Sequence, residues 1–265
     1  MKQATSNLLF TYTRSPTPNK SKVAVGRATL DLNIRAWAGK DHPTVSFSPL
    51  KKYETITICD SILDKDGIAW YYIRKDEKYG FVSSRYVEII PDLAWEFIRY
   101  LQDIDKIVKE HPKQFKYQYD PSLKSIQQLI KRVNSGKIVG LTCLVPEKLA
   151  FQKMGFKRSD GKTYLMCSDG KFGSTYSGDF KEHMNHITRG EVIGLTCKQA
   201  EDKGLLRTGD VIGFKGFTHT FVYSGKGYLM YDGGHKAIKN GVYTGIMPNY
   251  EKEKRKISEI IRWKS

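Results

Sequence analysis

Residues 206–227 read LRTGDVIGFKGFTHTFVYSGKG, and this stretch decides the fold. Asp210–Phe214 and His219–Tyr223 are short alternating apolar segments of the kind that pair as strands. Tyr228–Tyr231 and Ile257–Trp263 repeat the pattern further on. Upstream, the spacing changes. Leu93, Phe97, Ile98, Leu101, Ile104, Ile107 and Val108 recur at helical intervals, predicting a helix over Leu93–Glu110 that Pro112 ends. A second helix is expected from Pro121 through Ile126, Leu129 and Ile130 to about Asn134, with Ser135-Gly136 as its stop. Val145–Lys153, ending at Gly155, and Cys197–Lys203, ending at Gly204, complete the helical segments. Helices first and an antiparallel sheet afterwards make an α+β arrangement.

Before that region the pattern is different again. Residues 1–22 are polar and turn-rich (Ser15-Pro16-Thr17-Pro18-Asn19) and read as a flexible lead-in. Ala28–Ile34, Thr55–Cys59, Trp70–Ile73 and Tyr79–Val82 are short alternating segments separated by turns such as Asp64-Lys65-Asp66-Gly67. Short strands without a helical stretch predict a small β-barrel. Four segments follow: a lead-in over 1–24, a barrel over 25–90, a helical connector over 91–136 and an α+β domain over 137–265.

Composition limits what such a chain can be. It has 265 residues, 40% hydrophobic and 12% aromatic, enough for packed cores and against disorder. No apolar run approaches the roughly 20 residues of a membrane helix. The four cysteines (Cys59, Cys143, Cys167, Cys197) stand far apart, which excludes a zinc finger, a C-x-x-C redox motif and a disulfide scaffold. The formal charge of +16 calls for an anionic partner or environment. Its Lys and Arg residues are scattered in ones and twos with no nucleic-acid-binding signature, so no nucleic-acid partner is expected, and an anionic wall polymer or a plain solvated basic surface accounts for the charge, which alone decides nothing. The opening residues hold only a short apolar stretch, too short for a signal peptide. That points to release by a phage or prophage, or to a chain lacking its upstream region.

Three runs in the barrel segment carry a resemblance. They are Leu32-Asn33-Ile34-Arg35, Gly67-Ile68-Ala69-Trp70-Tyr71-Tyr72-Ile73 and Tyr79-Gly80-Phe81-Val82-Ser83-Ser84-Arg85-Tyr86-Val87. In order and spacing they resemble bacterial SH3-like domains, which implies a module that adheres to peptidoglycan stem or bridge peptides. Gly80 is expected at a tight turn. Core packing is the plainer role for Trp70, Phe81 and Tyr86, whereas Trp37 is expected to lie exposed.

A cysteine nucleophile needs a base and a group that orients the base. Cys143 precedes Val145-Pro146-Glu147, residues suited to a first helical turn, whose unpaired N–H groups favour a thiolate. His219, opening an apolar strand between two threonines, is the base candidate. The run Leu206–Phe214 followed by His219…Tyr223-Ser224-Gly225-Lys226-Gly227 resembles the G-D…H strands of NlpC-type cysteine peptidases. That resemblance implies a papain-like domain hydrolysing peptidoglycan, with Cys143 as nucleophile and its N–H in the oxyanion hole. It also implies His219 as base and a polar third residue on the next strand. Counting lands on Tyr231. Asp232 is preferred because a carboxylate stabilises imidazolium, and His235 is the outside candidate. Thr142-Cys143-Leu144-Val145 departs from the family's D-C-S-G-L-V, and no Y-x-W-G-G segment precedes it. Tyr117 and Tyr119 match no motif.

Cys197 is the rival nucleophile, since Ile193-Gly194-Leu195-Thr196-Cys197 echoes Val139-Gly140-Leu141-Thr142-Cys143. Cys59 and Cys167 read as buried small hydrophobes. His183 and His186 form an H-x-x-H without a third ligand, so loop histidines are the better reading and no metal or organic cofactor is expected. The implied activity is peptidoglycan stem-peptide cleavage at a γ-D-glutamyl–diamino-acid bond. N-acetylmuramoyl-L-alanine amidase activity, or a non-catalytic wall-binding phage or conjugation protein, stands as the alternative.

Overall fold

The computed structural model describes residues 17–120, 122–155, 187–190, 194–214 and 219–264. Pro121, Cys167, His183 and His186, and the lead-in up to residue 16, lie outside them. The chain divides into two compact units, Met1–Asp92 and Leu93–Ser265.

The first unit holds β1 (Ala24–Ala28), β2 (Thr55–Leu63), β3 (Ala69–Lys75), β4 (Lys78–Ser83) and β5 (Val87–Ile90). They form one antiparallel sheet in the order β4-β3-β2-β1-β5. The expected strand at Ala28–Ile34 is displaced to Ala24–Ala28. Leu32 and Arg35 instead make isolated bridges to Leu50, Thr44 and Phe81, carrying the long connection across the sheet. Ile34, Leu50, Ile58, Ile73 and Val82 are fully buried between them. At roughly 1.5–3 kcal/mol for each such side chain, this cluster is the unit's main support.

Gly80 lies inside β4 rather than at a turn. A Cβ there would stand 2.5 Å from Ile34 Cγ2, so the glycine admits the crossing segment. The β3–β4 turn falls to Asp76 and Glu77, both with positive φ. Trp70 is buried and donates its indole N–H to Asp64 Oδ2 at 2.9 Å. Phe81 packs beside it, while Tyr86 is exposed. Trp37 is half-buried, its ring 5.0 Å from that of Phe81.

The second unit begins along α1 (Asp92–Glu110) and continues through β6 (Phe115–Tyr117), α2 (Ile126–Asn134), β7 (Val139–Leu141) and α3 (Val145–Lys153). Then come β8 (Ile187–Gly190), β9 (Leu195–Thr196), α4 (Cys197–Asp202), β10 (Val211–Phe214), β11 (Thr220–Lys226) and β12 (Leu229–Tyr231). The short pair β13 (Ile238–Lys239) and β14 (Val242–Tyr243) precedes the long β15 (Lys256–Trp263). The main sheet is antiparallel, ordered β12-β11-β10-β15-β8 with β9 also on β15. The arrangement is α+β. A parallel pairing of β6 with β7 ties the region after α1 to the strand that leads into Cys143.

Helix α2 starts at Ile126, later than the proline predicts, because Ser125 caps it by accepting the Gln128 N–H. Phe97 of α1, Phe151 of α3 and Trp263 of β15 meet with ring centroids 4.6–5.8 Å apart. Among the described residues, no helix is long and apolar enough to cross a membrane.

The Gly209-Asp210 step has a structural role. Gly209 has φ +87, and a Cβ on it would lie 3.1 Å from the Ala94 Cβ. The buried Asp210 carboxylate accepts both Arg262 Nε (2.8 Å) and Nη2 (2.6 Å), a fork-on-fork pair from β15. It also accepts the Arg207 N–H, closing the turn before β10.

Candidate active site

Three remote segments converge. Cys143 sits between β7 and α3, His219 immediately precedes β11, and Asp232 immediately follows β12. One donor atom each from Cys143, His219 and Asp232 lies within 4.8 Å of the other two. Cys143 is 7% exposed and Asp232 is fully buried.

The histidine is held from one side. Its Nε2 lies 3.3 Å from Asp232 Oδ2 and 3.1 Å from the Tyr250 hydroxyl. Tyr250 donates its own proton to the same Oδ2, so its oxygen is left to accept from Nε2–H. Asp232 Oδ1 accepts the Gly234 N–H at 2.6 Å. This network assigns the proton to Nε2 and leaves Nδ1 as the basic nitrogen. Burial and the neighbouring Asp232 charge push the Tyr250 hydroxyl far above its ordinary pKa, so it remains a donor.

Three contacts fix the Cys143 segment against the other two. Thr220, next to His219, donates to Glu147 Oε1 on α3 at 2.7 Å, with both groups buried. The Tyr243 hydroxyl lies 2.8 Å from the Gly233 carbonyl and 3.1 Å from that of Leu141, bridging the Asp232 turn to β7. Gly233 itself passes so close to the Cys143 turn that a Cβ would stand 2.5 Å from the Thr142 carbonyl oxygen. Leu144 is the N-cap residue of α3, which places Cys143 one residue outside the helix mouth.

The other candidates go elsewhere. Tyr231 faces the opposite way from Asp232, as strand alternation requires, with its hydroxyl against Gln102 of α1. His235 packs on Tyr117 with the rings tilted by 36° and their centroids 3.7 Å apart. Cys197 opens α4 inside the apolar core, where burial pushes its thiol up to about 12. Cys59 is likewise raised by burial in β2.

Sequence reasoning missed Tyr250, Tyr243 and the Glu147–Thr220 pair. Tyr250 arrives through a segment that runs beside β12, where Asp232 N–H donates to Ile246 and Tyr250 N–H to Tyr228. Nothing local to residue 250 announces that placement. Behind the histidine, the Phe214 ring stacks parallel to it at 6.1 Å. Arg255 lies over Phe214 and Lys236 over Tyr250, both paired with Glu253. Those cations, Arg255 foremost, hold the Glu253 carboxyl well below the usual carboxylate range.

No protein-family model matches the sequence, and no curated protein matches it. Among solved structures the chain is similar to NlpC2 from Trichomonas vaginalis, at 14% identity and TM-score 0.32 over 91% of this chain and 73% of that one. It is also similar to NlpC1 from the same organism, at 15% identity and TM-score 0.31 over 91% and 70%. Likeness at this level assigns neither fold nor activity to the chain.

Proposed function

We propose that this protein is a peptidoglycan hydrolase that cleaves stem-peptide bonds by cysteine nucleophilic catalysis. The observation that carries the reading is the convergence of Cys143, His219 and Asp232 with a hydrogen-bonded orienting network. In this mechanism His219 takes the Cys143 proton, the thiolate attacks the scissile carbonyl, and the imidazolium returns the proton to the leaving amine. Water then hydrolyses the thioester with His219 as base. Asp232 keeps the ring oriented and stabilises its cationic form, and Tyr250 holds Asp232 in place.

The SH3-like runs of the first unit support a wall-binding role for it, and the positive charge suits anionic wall polymers. The second unit is read as a papain-like, NlpC-type domain acting on the cell wall. Its target is the γ-D-glutamyl–diamino-acid bond, with the muramoyl-alanine amide as the competing bond. Mass spectrometry of muropeptides released from purified sacculi tests both points. New amino termini on the diamino acid, absent with Cys143→Ala, are expected. A folded wild-type protein that binds sacculi and releases nothing would leave a wall-binding protein instead.

A further inference from the structure

We infer that the first unit carries a cationic pocket that captures the C-terminal carboxylate of a peptide. The pocket is a cavity of about 200 Å³ between the long β1–β2 connection, the start of β3 and the single turn Ser84–Tyr86 after β4. Arg35, Lys40 and Arg85 line it, and no acidic side chain does.

The charges of this unit single those three out. Lys22, Arg27, Lys51, Lys65, Arg74 and Lys75 each meet a carboxylate. Lys20, Lys52 and Lys78 lie over tyrosine or phenylalanine rings. Among the described residues, Arg35, Lys40 and Arg85 have neither kind of partner, and they share one cavity. Two carboxylates within electrostatic reach of Lys40 are engaged elsewhere, Asp41 by Lys65 and Asp64 by the Trp70 indole. Three like charges around one small volume favour an anion there.

The remaining walls select which anion. Leu32, Ile68 and Trp70 give an apolar lining, and the exposed Tyr86 adds an aromatic edge. Asn33 and Ser83 bring carboxamide and hydroxyl groups. A terminal peptide residue answers all of these, with a carboxylate for the arginine forks, a side chain for the apolar lining and an amide for the polar groups. A bare phosphate would leave the apolar lining unfilled. The volume is below the roughly 300–1,000 Å³ that encloses a whole small ligand, which suits a chain end. Arg35 is already set in place. Its Nη1 donates to the His42 carbonyl at 2.6 Å, and its backbone pairs with Phe81 in both directions at 2.8 Å. The pocket stands on charge and shape, whereas naming a wall stem peptide as its occupant rests on the wall-binding reading above.

The test titrates the full chain with N-acetyl-alanyl-alanine of either hand and follows NMR shifts of the Trp70 indole and the arginine side chains. Saturable shifts are expected, with the C-terminal amide of the same peptide binding at least about 10-fold more weakly. Arg85→Gln and Lys40→Gln, both at exposed positions, should each weaken the acid at least about 10-fold without changing the melting temperature. Lys78→Gln, which removes the same charge outside the cavity, should leave binding intact. Equal binding of acid and amide, or an Arg85→Gln protein that binds as tightly as the wild type, overturns the pocket. Inorganic phosphate competing as strongly as the peptide acid overturns the peptide end as ligand, since an anion alone then suffices. Peptide capture by a protein that does not bind sacculi would uphold the pocket and sink the wall-binding reading.

Discussion

Gly233→Ala is the substitution that most directly probes how the two halves of the site are held. Gly233 lacks the positive φ that would itself penalise alanine, so the cost is one of space. The new methyl would stand 2.5 Å from the Thr142 carbonyl oxygen and 3.2 Å from two carbons of the Pro146 ring. The gap to the carbonyl must therefore open by about 0.9 Å to reach ordinary contact near 3.4 Å. Overpacking of this kind costs about 1–3 kcal/mol of stability. It also moves Asp232 away from the Cys143 turn, and a displacement near 1 Å in a catalytic constellation costs on the order of 100-fold in rate.

Sacculus lysis and thermal melting, measured on the same preparation, separate the two effects. Gly241→Ala is the control. Gly241 has φ +76 and open space around its Cβ, so alanine there costs roughly 1–2 kcal/mol of backbone strain without touching the site. The expected result is comparable melting losses, with lysis lost only in Gly233→Ala. Wild-type lysis and melting in Gly233→Ala would refute the claimed contact.

Three further outcomes follow from single contacts. Tyr250→Phe deletes a hydroxyl bonded to a buried carboxylate and should cost about 1.5–3 kcal/mol in denaturant unfolding. It should also alter the pH profile of lysis, because Asp232 Oδ2 then serves His219 alone. An unchanged profile would reduce Tyr250 to a packing role. Asp210→Asn should destabilise by about 3 kcal/mol, since the Arg262 guanidinium loses its paired charge, while specific activity below the melting range stays intact.

For Cys197, a folded-state thiol raised to about 12 from 9.0 keeps its proton in the native state while the unfolded chain loses it. That contribution is whole below about pH 9 and falls as pH rises toward 12, by up to roughly 4 kcal/mol. Melting temperature should therefore decline less steeply above pH 9 in Cys197→Ala than in the wild type. Parallel declines would contradict the burial argument.

Much of the secondary structure could be read from spacing alone. Val145–Lys153 is a helix with the bounds its proline and glycine signals suggest. Boundaries moved where a cap or a packing contact outweighed the local signal, as at Ser125 before α2 and at the displaced first strand. Gly80 illustrates the limit well. A glycine can serve a turn or a close approach, and only the crossing of Ile34 shows which.

At the candidate site, chemistry favoured Asp232 over Tyr231, and strand alternation sends their side chains in opposite directions. Spacing already favours Cys143 over its echo at Cys197, because the 13 residues from Cys197 to Asp210 hold only a short helix. Surroundings separate the two buried thiols, since one stands beside an imidazole and the other inside an apolar core. Tyr250 and Tyr243 stayed hidden because each reaches the site through tertiary placement of a segment without regular periodicity.

The nucleophile itself can be interrogated by timed iodoacetamide labelling near neutral pH, with peptide mapping of each cysteine in wild type and His219→Ala. Activation by His219 predicts that Cys143 reacts first and that the His219 variant slows it roughly 10-fold or more, as for a thiol that loses the base which draws off its proton. Cys197 should trail an unperturbed thiol by about three orders of magnitude, following its suppressed thiolate fraction. Equal labelling of Cys143 and Cys197, or a Cys143 rate indifferent to the loss of His219, would contradict the proposed chemistry.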